Sequence, residues 1–139
     1  MGLYIEEGKT IQPLNTRNGE GNFYLSPNGV FFIKNDDQAG IALTGNFKNT
    51  DIKYATQSGP MLVIDGKINA GFTKESASLY IRNDVGITRD NKTVFKISNV
   101  PVSLYDFAEY FFKLGCENAL YLDGAISNIY VKDRNTENA

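Results

Sequence analysis

The stretch from Leu114 to Ser127, L-G-C-E-N-A-L-Y-L-D-G-A-I-S, concentrates residue types that could do chemistry. It predicts an apolar strand, Ala119 to Leu122, that carries the carboxylate of Asp123 to a turn at Gly124, with Ser127 close behind. A carboxylate at the end of a buried strand is held rigidly, and a glycine turn leaves backbone N–H groups exposed beside it. Binding and catalytic sites are often built this way. The chain has no histidine, so the commonest general base and the commonest metal ligand are both missing. Ser-His-Asp and Cys-His nucleophilic chemistry are therefore excluded. Cys116 is the single cysteine, which rules out an intramolecular disulfide, and its place between Gly115 and an apolar strand points to a buried, inert thiol. Asp36, Asp37, Asp51, Asp65, Asp84, Asp90 and Asp123 do not show calcium-loop spacing, so no metal and no cofactor is expected.

Those residues need a scaffold, and 139 residues supply one domain large enough to bury a core without staples. An apolar fraction of 42% and a charged fraction of 22% are those of a soluble globular protein. The formal charge of −2 offers no basic field for a nucleic-acid polymer, although local arginines and backbone amides could still take a small anion. No apolar run reaches membrane-spanning length, and Met1-Gly2-Leu3 leads directly into strand-like sequence, so a cytoplasmic protein without membrane association is expected.

The pattern predicts an α+β fold, a mostly antiparallel sheet carrying one main amphipathic helix at about 103–115. Leu3 to Ile5 and Thr10-Ile11 flank a turn at Glu6 to Lys9. Phe23 to Leu25 and Val30 to Ile33 flank Ser26-Pro27-Asn28-Gly29. Ala39 to Thr50 carries no clear period. Ile52 to Thr56, Met61 to Ile64, Ser78 to Arg82, Val85 to Thr88, Thr93 to Ser98, Ala119 to Leu122 and Ile126 to Val131 read as further strands, with Asp65-Gly66 and Arg89 to Lys92 as turns. In the helix, Leu104, Phe107, Ala108, Phe111 and Leu114 recur at helical spacing as the core face. Ser103 and Asp106 form a capping-box-like start, and Gly115 is the stop. The domain covers 1–131, followed by a polar tail at 132–139.

Three segments in this order resemble the phosphodiester glycosidase family: Ala55-Thr56-Gln57-Ser58-Gly59-Pro60-Met61-Leu62, then Arg82 with Val85-Gly86-Ile87, then Leu114-Gly115-Cys116 through Asn118-Ala119-Leu120 to Leu122-Asp123-Gly124 and Ser127. Enzymes of that family cleave a sugar from a sugar-phosphodiester. The resemblance implies that Asp123 serves as general acid/base or orients the sugar hydroxyls, and that Arg82 grips the phosphate through its planar fork. Gln57, Ser58 and the Gly59 amide would belong to an anion nest, with Asn118, Gly124 and Ser127 as further contacts. Two departures stand out. Ala125 and Ile126 follow Gly124 where the commoner enzyme pattern has further glycines. The chain also starts at the Gly2-Leu3-Tyr4 strand, which family domains precede with an Asn-Gly-rich portion.

From that truncated pattern comes the expectation of a domain that binds or sequesters a small sugar-phosphodiester or nucleotide-derived ligand, as a phage-type sponge for a nucleotide messenger would. The alternative is a hydrolase that cleaves a sugar-phosphodiester. A third reading is a structural subunit with a vestigial site, in which 8 tyrosines and 9 phenylalanines feed a homo-oligomer interface.

Overall fold

The computed structural model describes residues 2–16, 27–72, 83–98 and 100–122. Short strands meet at residues that accept positive φ. Strands β1 (Tyr4–Glu6) and β2 (Lys9–Gln12) turn at Glu7 and Gly8, with φ of 50° and 80°. Strand β3 (Gly29–Lys34) turns through Asp37, φ 68°, into β4 (Ala39–Leu43). That strand and one 3-10 turn at Thr44–Asn46 account for most of the span that had no clear sequence period. Strands β5 (Ile52–Ser58), β6 (Met61–Ile64) and β7 (Lys67–Ile68) follow, the last two joined by Asp65-Gly66 at φ 49° and 80°. Strands β8 (Asn83–Thr88) and β9 (Thr93–Ile97) precede helix α1 (Leu104–Lys113) and strand β10 (Cys116–Leu122). The expected strands at Phe23–Leu25, Ser78–Arg82 and Ile126–Val131, and the tail at 132–139, lie outside the described residues.

All of these strands pair antiparallel, and they form two five-stranded sheets, ordered β2-β1-β5-β3-β4 and β7-β6-β10-β8-β9. The α+β class holds, with the strands divided between two layers. The reason is that central strands are apolar on both faces. In β3, Phe31 packs with Met61, Val85, Leu120 and Leu122, while its neighbour Val30 packs on the opposite side with Leu3, Ile5, Ile52 and Ala55. Phe31 meets Phe95 of the second sheet edge-to-face, with ring centroids 5.7 Å apart. Each large apolar side chain buried this way contributes roughly 1.5–3 kcal/mol of transfer free energy.

Helix α1 covers the outer face of the second sheet. Leu104, Phe107, Ala108 and Phe111 are buried against Leu62, Ala119 and Tyr121. The Ser103 hydroxyl accepts from the Asp106 amide at 3.1 Å, and Gly115 stops the helix at φ 84°. Leu114, which the helical spacing puts on the core face, is instead 44% exposed, because the helix ends at Lys113 and the chain turns away there. No helix among the described residues is long and apolar enough to cross a membrane.

Candidate functional site

Gly59-Pro60, joined by a cis peptide bond, is the connection by which the chain passes from β5 of the first sheet to β6 of the second. The Pro60 carbonyl accepts from the Tyr121 amide at 3.1 Å, and the Met61 amide donates to the Pro27 carbonyl at 2.8 Å. The passage is tight. A Cβ on Gly29, the register partner of Ser58, would lie 2.6 Å from Met61 Sδ and 2.8 Å from the Ala42 carbonyl oxygen. Ser58 itself is buried, 2% exposed, and shares its strand face with Tyr54, which packs into the layer between the sheets.

The same rim receives the described ends of two more strands. Leu122, the last residue of β10, is the register partner of Asn83, the first residue of β8, and Tyr121 faces Asp84 beside them. Arg82, Asp123, Gly124 and Ser127 lie outside the described residues. Their nearest described chain neighbours, Asn83 and Leu122, are paired with each other, and the β10 end adjoins the passage through the Tyr121–Pro60 hydrogen bond.

The other two expected ligand contacts have different surroundings. Gln57 is buried, and its amide ties the start of the chain to β5. Its Oε1 accepts from the amides of Leu3 at 3.0 Å and Asn15 at 2.9 Å, while its Nε2 donates to the Asn15 carbonyl at 2.6 Å. Asn118, the third residue of β10, sits roughly 13 Å along the strand from Leu122 at about 3.3 Å per residue. There its Oδ1 accepts from the Asp65 amide at 3.2 Å and holds the β6–β7 turn. The fold thus brings Ser58 and Gly59 to the rim, uses Gln57 as a tie beside it, and leaves Asn118 away from it along β10.

Asp84 is the residue that sequence reasoning passes over. It is completely buried, and neither carboxyl oxygen has a hydrogen-bond partner among the described residues. Desolvation holds its carboxyl well above the usual aspartate range, opposed by the Lys96 ammonium. Alternation gives no signal for it: Val85 and Ile87 mark one apolar face of β8, which leaves Asp84 with Gly86 on the face that reads as solvent-facing. That second face is covered by α1, since a Cβ on Gly86 would lie 2.6 Å from Phe111. The thiol of Cys116 is pushed up to about 11 by burial, consistent with the inert role expected for it. Among the described residues no group of three or more acidic or cysteine side chains converges as a metal site.

The chain is 46% identical over 134 residues to the uncharacterized Escherichia coli protein YigE, covering 95% of this chain and 52% of that protein. Its fold matches the zebrafish N-acetylglucosamine-1-phosphodiester alpha-N-acetylglucosaminidase catalytic domain auto-inhibited by pro-peptide. That match has a TM-score of 0.60 and 19% identity, over 88% of this chain and 45% of the other. The chain spans about half the length of both. The family model described as phosphodiester glycosidase matches residues 1–139, and the chain belongs to that family.

Proposed function

We propose that this domain hydrolyses a glycosyl phosphodiester. The observation that carries the reading is the rim itself. The passage after Ser58 and the ends of β8 and β10, three segments separated in sequence, meet through the Pro60–Tyr121 hydrogen bond and the Asn83–Leu122 pairing. In this reading Asp123 handles the proton at the sugar–phosphate oxygen while water adds to the sugar carbon, so the products are free sugar and a phosphomonoester. Arg82 holds the phosphate in a bidentate grip, and the Ser58-Gly59 backbone turns donors toward the anion. Capture without turnover, including sequestration of a nucleotide messenger, draws support from neither the rim nor the relatives, so hydrolysis is preferred.

Incubation with a panel of glycosyl phosphodiesters, including nucleotide-linked sugars, followed by mass spectrometry, tests the reading. Free sugar and phosphomonoester should accumulate. Asp123→Asn should reduce the rate by at least about 100-fold, the scale of a lost general acid/base, with the circular dichroism spectrum unchanged. Tight binding across the panel with no product would reverse the preference in favour of capture.

A further inference from the structure

A polar row crosses the face of the second sheet beneath α1. Lys96 on β9, Asp84 on β8 and Tyr121 on β10 are successive register partners. Directly opposed side chains on one sheet face lie about 5 Å apart at Cβ. Asp84 is 0% exposed with neither oxygen bonded among the described residues, although a cation stands across from it. That cation is engaged elsewhere: Lys96 Nζ sits 4.9 Å from the ring centroid of Tyr110 on α1. Among the described residues the other groups around the carboxyl are neutral or engaged elsewhere. The buried face of α1 is apolar, Asp106 is exposed, and Glu109 meets Lys113 at 3.9 Å. Cys116, farther along the same face of the sheet, keeps its proton with its thiol at about 11. Tyr121 contributes a phenol. Lys96 is thus the charge, among the described residues, that acts on Asp84.

We propose that Asp84 and Lys96 form a proton-controlled latch on helix α1. With Asp84 protonated, the ammonium caps Tyr110 and the helix stays seated. When the carboxyl gives its proton to solvent, Lys96 leaves the ring for the carboxylate and α1 lifts from the sheet. Even paired with Lys96, an ionised carboxylate beneath the apolar face of α1 is costly to keep from water, so hydrating the pair by moving the helix is the available relief. The sign follows from burial. Closure is complete below the ordinary aspartate value and is lost as pH rises through the raised value that Asp84 has when covered. The latch does not depend on the proposed hydrolysis.

Hydrogen exchange on the full chain between pH 4 and 9, corrected for intrinsic amide rates, tests it. The opening equilibrium of residues 104–113 should grow about tenfold per pH unit between the two titration points, while the amides of β3 and β5 stay protected. Asp84→Asn should make α1 protection independent of pH. Lys96→Met, which removes the cation that favours ionisation, should move the rise to higher pH. Flat wild-type protection would overturn the latch, as would an Asp84→Asn variant that keeps the pH dependence or a Lys96→Met variant that leaves it in place. Loss of protection in β3 and β5 together with α1 would also overturn it, because the effect would then be global.

Discussion

Gln57 and Asp84 are both buried polar residues on central strands, and their energetics run in opposite directions. Gln57 bonds two backbone amides and one carbonyl through its side chain, so its burial is compensated. Truncating it strands those groups, at about 1–3 kcal/mol each before relaxation. Gln57→Ala should therefore destabilise the fold by about 2–4 kcal/mol in urea unfolding, with faster exchange first at Leu3 and Asn15. Asp84 has no such compensation, and the desolvation that raises its pKa works against the folded state as pH rises. An ionisable group held at a stability cost is where a functional constraint is expected.

At the scale of elements, α1 and the second sheet touch most closely at Gly86. An added Cβ would meet Phe111 at 2.6 Å and Cys116 Sγ at 2.8 Å. Both obstacles belong to a well-packed layer, so Gly86→Ala must shift the helix or force off-rotamer side chains, at about 1–3 kcal/mol. A lowered melting temperature should be accompanied by preferential loss of α1 protection in hydrogen exchange. The helix was readable in the chain because its apolar spacing, serine cap and glycine stop agree with one another. Strand β4 was not, because Ala39–Leu43 is half-buried at every position and offers no alternation to detect.

For the molecule as a whole, the passage between the two sheets couples their packing to the rim. Gly29 lies where the sheets and that passage meet, and one obstacle to a Cβ there is the backbone carbonyl of Ala42 at 2.8 Å. A flexible side chain can move aside, but a paired strand carbonyl can do so only by shifting the sheet. Gly29→Ala should cost about 2 kcal/mol or more in thermal or urea unfolding. It should also lower whatever turnover or binding the rim supports.

The order of local elements, the turns, the capped helix and the identity of the family were legible in the chain. Each depends on neighbours within a few residues, or on the order of short segments such as Gln57-Ser58-Gly59-Pro60 and Leu122-Asp123-Gly124. The division into two sheets was not legible, nor the separation of Asn118 from Ser58, the use of Gln57 as a tie, or the burial of Asp84. These follow from long-range register. Pairing Leu122 with Asn83 puts the described ends of β10 and β8 at the rim and leaves Asn118 four residues back along the strand. Laying α1 over β8 turns a face that alternation alone assigns to solvent into an interior, and so decides the chemistry of the carboxyl beneath it.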